Sequence, residues 1–271
     1  MSARATFARG GWLAAVPMEL HGHRKKLGFF LRSLEDFRAR FGLAAAEVSV
    51  LEVGCSNGRN VSLPLAEQGY LVTGVDLHGP SIAYARAQAE GGLGNARFLC
   101  MDFFDFGSDD RFDVIVLSDI LEHVSDPDRI LAVALEHLAP AGMVLVCIPN
   151  GYGPYENEQR LLRATGLDRL LATASRGAKR LLGCRPERQT EYNYDSGHIQ
   201  FFHLDDFRSL VASAGLCIDE QANGALFGGG VTYYLGLLLP FLVGLSLKLA
   251  DRLPVRWVST WYFRLSAAAE R

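Results

Sequence analysis

Val48-Ser-Val-Leu-Glu52-Val-Gly54-Cys55-Ser56-Asn-Gly58 is the stretch on which the fold turns. Its first six residues read as a short strand buried on both faces. Small residues then let the backbone bend tightly, and a helix is expected around Arg59 to Gln68, with free N–H groups at its first turn. Outward from this point the same unit repeats. Tyr70 to Val75 reads as the next strand, followed by a helix over Pro80 to Glu90 with proline at its first turn. Ala96 to Cys100 and Phe112 to Ser118 read as the third and fourth strands. Asp126-Pro127 opens a helix running to Leu138, with aspartate as N-cap and proline at the first helical position. Met143 to Ile148 is the fifth strand. Doubly apolar strands alternating with helices imply a parallel sheet covered on both sides, so the chain to residue 150 reads as a doubly wound α/β fold.

The flanks are less regular. Leu20, Leu27, Phe30, Leu31, Leu34, Phe37 and Phe41 recur at three- and four-residue steps, which suggests an amphipathic helix across the front of the domain. Beyond Gly151-Tyr-Gly-Pro154, the segment from Arg160 to Arg188 holds eight Lys/Arg against two acids, so a basic insertion is expected over 151–200. Asp205 to Ala214 reads as a helix stopped at Gly215, Leu216 to Asp219 as a sixth strand, and Trp257 to Phe263 as a seventh, antiparallel one. The expected division is a helical cap over 1–45, the core over 46–150, the insertion, and the rest of the core over 201–271 with an apolar helical segment at 225–250. From Gln221 to Leu247 there is no charged residue. That run is long enough to span a bilayer. It nevertheless joins two strands of one sheet, and a single crossing would leave the last strand on the wrong side. A buried or interfacial helix fits better, kinked at Pro240 and followed by Lys248, Arg252 and Arg256.

Composition sets the outer bounds. With 271 residues, 49% hydrophobic and 21% charged, the chain can build a sizeable core, and global disorder or coiled coil is excluded. A formal charge of −3 provides no field that would draw in nucleic acid. The five cysteines contain no C-x-x-C pair and read as reduced thiols. Trp12 to Val16 is too short an apolar patch for a signal peptide, so a cytoplasmic location is expected, with peripheral contact to an anionic membrane as the added expectation from the apolar and basic segments. No pattern sets an oligomeric state.

The Gly54–Gly58 turn admits three readings. The dinucleotide fingerprint would need glycines at 56 and 59, where Ser56 and Arg59 stand. Gly54-x-Ser56-x-Gly58 is formally a nucleophile elbow, but the hydrolase fold needs several strands before it, and only one helix precedes residue 48. The third reading is a cradle for an adenosyl ligand, and it gains from the placement of the acidic residues. Glu52, Asp76, Asp102 and Asp119 all fall at carboxyl ends of consecutive strands, the edge where open α/β sheets bind ligands. There Asp76 can take both hydroxyls of a ribose, and Asp102 can accept from an adenine amino group.

At these residues the chain resembles the class I S-adenosylmethionine-dependent methyltransferases, and among them the group related to ubiquinone-biosynthesis O-methyltransferases. The resemblance covers Val48 to Ile148 and again Gly197-His-Ile-Gln-Phe-Phe-His-Leu-Asp-Asp-Phe207 to Gly215. It implies a Rossmann-like seven-stranded sheet with an added helical lid, and S-adenosyl-L-methionine as cofactor. Carried over, Glu52 and the turn of Gly54, Cys55, Ser56 and Gly58 hold the methionine part. Asp76, with Leu77 next to it, takes the ribose, and Asp102 with Phe103 the adenine. Ser118 and Asp119 border the methionine and the acceptor, and Asp119-Ile-Leu-Glu-His123 matches a segment common in the group. Ser56 stands where a glycine is usual.

The expected reaction is methyl transfer to a small-molecule, lipid-linked or glycan-linked acceptor, at oxygen. A sulfonium methyl is already activated, so the protein must chiefly align a nucleophile and exclude water. A hydroxyl acceptor also needs a base, and His123 is the candidate, next to the fourth-strand loop; His198 and His203 are weaker ones. No His/Asp/Glu spacing demands a metal. The alternatives are a non-catalytic methyltransferase-fold partner subunit and, behind it, a hydrolase using Ser56.

Overall fold

The computed structural model describes residues 22–107, 109–169, 197–227 and 241–268, with positions 173, 231, 232, 235 and 239. The Trp12–Val16 patch, most of the basic insertion and Pro240 lie outside the described residues.

The repeating unit read from the sequence folds as expected. In chain order the elements are α1 (His23–Phe41), β1 (Ser49–Val53), α2 (Ser62–Glu67), β2 (Leu71–Asp76), α3 (Gly79–Ala89), β3 (Ala96–Cys100), β4 (Phe112–Ser118), α4 (Pro127–Glu136) and β5 (Leu138–Pro149). They continue with α5 (Pro154–Thr165), α6 (Leu204–Ser213), β6 (Leu216–Asn223), α7 (Phe241–Ala250) and β7 (Thr260–Ala267). The sheet has seven strands in the order β3-β2-β1-β4-β5-β7-β6. Strands β1 to β5 pair in parallel, while β7 runs antiparallel between β5 and β6. This is the Rossmann-like class I methyltransferase arrangement. From β1 the chain winds out to β3 and then returns to β4 on the other side of β1, which opens a crevice at the carboxyl ends of β1 and β4.

Period-two alternation sorts the strand residues onto two faces. Leu51, Val53, Ile115, Leu117 and Val144 pack under α4 and α6 in one cluster, together with Phe207 and Phe263. Val50, Val72, Val114, Val116 and Leu145 face the other way and meet Phe29, Phe30 and Leu34 of α1. These three α1 side chains are at most 1% exposed, each worth about 1.5–3 kcal/mol of burial, so the N-terminal helix forms a layer of the core.

Several boundaries move for local reasons. Helix α2 starts at Ser62 and not at Arg59, because Asn57 folds back to accept the Arg59 N–H in a turn and Glu52 accepts from the Ser62 N–H. The last strand starts at Thr260 and not at Trp257, because Pro254 leads into a single 3₁₀ turn over Val255–Trp257 that turns the Trp257 indole outward. Among the described residues no helix is long and apolar enough to cross a membrane.

Candidate active site

The crevice at the β1/β4 edge is a cavity of about 710 Å³. All the residues assigned above to the cofactor line it except Gly58, and His123 lines it too. Gly54 is required by two constraints. Its φ is +71°, and a Cβ there would come within 2.7 Å of Ile120 Cδ1. Its N–H and that of Cys55 both bond to Val75 O, which pins the turn to β2. Gly58 is also left-handed, with φ +72°, and packs the Phe98 ring and Leu63 against its α-carbon. Ser56 is itself left-handed, with φ 48°. Its N–H donates to Asp76 Oδ2 at 2.7 Å, while its hydroxyl is buried with no partner and bonds to no histidine, unlike a hydrolase nucleophile. Asp76 Oδ1 accepts the His78 N–H, also at 2.7 Å, so the carboxylate is held from both sides with lone pairs to spare. A backbone free of Cβ at Gly54, an orphaned hydroxyl at Ser56 and a fixed carboxylate at Asp76 fit a nucleoside with a ribose edge.

Toward the centre of the sheet the site becomes a buried charge network. Glu52 accepts from the Ser62 N–H at 2.9 Å and from the Ser62 hydroxyl. Burial pushes its pKa from the ordinary value up to about 8, against the pull of the Ser62 hydrogen bonds and the Lys26 charge. A raised folded-state pKa favours folding below the unfolded value and loses that contribution as pH rises through about 8. Glu52→Gln should therefore flatten the decline in stability between pH 5 and 8, read as urea midpoints at the two pH values. An equal decline in both proteins would show that Glu52 is ionised throughout.

Lys26, from the first turn of α1, is 3% exposed. Its ammonium donates to Asp119 Oδ2 at 2.5 Å and to Ser118 Oγ at 2.7 Å. Burial, the largest influence, would lower its pKa, yet the Asp119 charge and hydrogen bond together with Cys147 and Glu52 outweigh it and hold it above the ordinary lysine range. Burial would likewise raise Asp119, and the Lys26 charge and hydrogen bond hold it well below. Asp119 also sits at φ 55° and accepts from the Cys147 thiol at 3.1 Å. Its side chain faces the open cavity at 39% exposure.

The far end of the cavity is built by a segment distant in sequence. The Glu122 carbonyl accepts from the N–H groups of Ile199 and Gln200, which draws 197–200 against the end of β4. His198 then stands beside His123, with ring centroids 4.9 Å apart. His123 Nδ1 is 3.2 Å from the Gly197 carbonyl, and its Nε2 lies 3.8 Å from Glu122 Oε1. Burial lowers the His123 pKa, so the ring is neutral near pH 7. His198 Nδ1 lies 2.7 Å from Oε1 of Glu156, a residue 1% exposed in the first turn of α5. In the neutral tautomer whose Nδ1–H donates to that carboxylate, Nε2 is the acceptor. His203 is different: it is the N-cap residue of α6, stacks on Tyr152 at 3.6 Å and does not line the cavity.

Lys26, Glu122 and Glu156 did not stand out in the sequence, and His198 ranked below His123. Burial supplies the missing signal, because all three are charged residues of which at most 3% is exposed. Space also brings Glu122, His123 and His198 together, with one donor atom from each inside 4.8 Å, a grouping the linear spacing hid and one able to accept a divalent ion. The Glu122 carboxyl is held well above its ordinary pKa, first by burial and then by the Asp119 charge, and its Oε2 has no partner.

Residues 23–221 match the family model described as a methyltransferase domain. Among curated proteins, the chain is 38% identical to the ubiquinone biosynthesis O-methyltransferase of Coxiella burnetii over 94 residues, 34% of this chain and 40% of that one. It is 26% identical to the Rickettsia akari protein of the same name over 117 residues, 43% of this chain and 46% of that one. The matched part thus spans less than half the length of these relatives. Among solved structures, magnesium protoporphyrin IX methyltransferase from Synechocystis with bound S-adenosylhomocysteine superposes with a TM-score of 0.54 at 14% identity, over 96% of this chain and 89% of that one. An S-adenosylmethionine-dependent methyltransferase from Clostridium acetobutylicum superposes at 0.55 and 12% identity, over 90% and 92%. With the strand order, the cradle at Gly54–Asp76 and a family match over most of its length, the chain belongs to the class I S-adenosylmethionine-dependent methyltransferases.

Proposed function

We propose that this protein transfers the methyl group of S-adenosylmethionine to a hydroxyl of a small, largely apolar or lipid-linked acceptor. The observation that carries this reading is the His198–Glu156 pair, a carboxylate-oriented imidazole in the same cavity as the nucleoside cradle. Such a pair is of use where a proton must leave the acceptor, as it must from a hydroxyl. The similarity to O-methyltransferases supports oxygen as the acceptor atom.

The cofactor, when bound, supplies an activated sulfonium methyl. Asp76 would hold the ribose hydroxyls, and Asp102 and Phe103 would border the adenine. Lys26 and Glu52 offer a cation and a carboxyl to the two charged ends of the methionine part. His198 takes the acceptor proton through Nε2, and Glu156 keeps that ring in the tautomer that can accept it. His123, already neutral and tied to the Gly197 carbonyl, forms the wall beside it. Support for an apolar acceptor comes from Phe227, which lines the cavity, is 43% exposed and belongs to the uncharged run.

The test is incubation with a methyl-labelled donor and a lipid-plus-metabolite extract. Label is expected in organic-soluble material as a base-stable methyl ether. Label confined to amine products, or no transfer into any fraction, would overturn the reading.

A further inference from the structure

Helix α7, Phe-Leu-Val-Gly-Leu-Ser-Leu-Lys-Leu-Ala, turns the wrong way for a surface helix. Such helices normally direct apolar residues inward and charge outward. In α7 the inward face is made by Val243 and Ala250, both buried. On the opposite side Phe241, Leu245 and Leu249 follow one another at four-residue steps and are 67%, 57% and 43% exposed. Just before them Leu235 and Leu239 are 44% and 40% exposed, and just after them the Trp257 indole is 66% exposed. Among the described residues, Phe241, Leu245 and Leu249 thus form an apolar outer face on α7 that stays largely exposed.

Charge decides between possible coverings. Lys248 lies on the outward face with Phe241 and Leu245, and Arg252 follows one turn later, both exposed. The acid nearest in sequence, Asp251, is paired with Lys25 at 2.5 Å, and no acid occurs in the sequence between Gln221 and Leu247. On α7 itself the one charged residue is Lys248, and an apolar outer face with lysine and arginine arms matches a bilayer surface, where apolar groups enter the acyl boundary and the cationic heads reach anionic phosphates. An exposed tryptophan at the edge suits the same depth. At ten residues the helix is about 15 Å long, so it can lie in the surface but not span it.

We propose that α7 docks the protein on an anionic lipid surface, with Phe241, Leu245 and Leu249 inserted and Lys248 and Arg252 at headgroup level. The inference goes beyond methyl transfer and stands whether or not the acceptor is a lipid. The uncharged run that ends in α7 also supplies Phe227 to the cavity lining.

Flotation of the full chain with phosphatidylglycerol-containing vesicles, and with pure phosphatidylcholine vesicles, tests it. The wild type should float with the anionic vesicles at low salt and be released by high salt. Phe241→Ser/Leu245→Ser and Lys248→Glu/Arg252→Glu should each cut the bound fraction by about tenfold or more. These side chains point outward, so both variants should keep the wild-type melting temperature and S-adenosylhomocysteine affinity. That separate readout distinguishes failure of docking from failure of the methyltransferase reading. A wild type that does not float, or an apolar variant that floats equally well, overturns the proposal. So does a wild-type dimer that the apolar variant dissolves, which would make a second copy the covering.

Discussion

His198→Asn should lower kcat by about 10²- to 10⁴-fold with little change in cofactor affinity, the range expected when a positioned base is lost. The geometry favours His198 over His123. Both rings line the cavity, but only His198 has a buried carboxylate on Nδ1, at 2.7 Å. That carboxylate stabilises the imidazolium formed once the acceptor proton has been taken. His123 has a backbone carbonyl on Nδ1, and its Nε2 looks toward Glu122. Glu156→Gln keeps an acceptor for the His198 Nδ1–H but removes the charge, so it should lower kcat by less than His198→Asn does. A larger loss in His123→Asn than in His198→Asn would reverse the assignment. If chelation abolishes the rate and a divalent ion restores it, the Glu122–His123–His198 group is a metal site and the base reading falls.

The second large effect is on the cofactor. Asp76→Ala removes a doubly hydrogen-bonded ribose partner and should weaken S-adenosylhomocysteine by about 2–4 kcal/mol, roughly 30- to 1000-fold. From sequence alone the fold is expected to be untouched by this change, and the structure alters that expectation. Asp76 also accepts from the backbone N–H groups of Ser56 and His78, so alanine frees two donors and loosens the strained turn. A modest loss of thermal stability should accompany the affinity loss. Asp76→Asn has the same shape and one acceptor oxygen, and should fall between the two proteins in both measurements.

How far the sequence was legible depends on where each signal resides. Strands β1 to β5 are locally coded, each a short apolar run closed by small or acidic residues. Their order places Glu52, Asp76, Asp102 and Asp119 on one edge by topology alone. The cofactor half of the site could therefore be read from a stretch of about a hundred residues. Lys26 was hidden because nothing local distinguishes it from Arg24 and Lys25 in the same basic run; only packing α1 on the sheet buries Lys26 against Asp119. Glu156 was hidden for the same reason, as one acid in a polar helix that becomes significant when 197–200 docks on the Glu122 carbonyl. His203, two residues from Phe201, looked equivalent to His198 until helix α6 claimed it as a cap residue. The apolar segment was legible as an anomaly, but its outward face required the buried positions of Val243 and Ala250 to be known.

Titration calorimetry of the wild-type chain with S-adenosylhomocysteine tests the central claim most directly. The converging strand-end carboxylates and the Gly54 cradle predict one molecule bound per chain, with Asp76→Ala sharply weaker under the same conditions. No detectable binding to the wild type, or the same dissociation constant in both proteins, would contradict it.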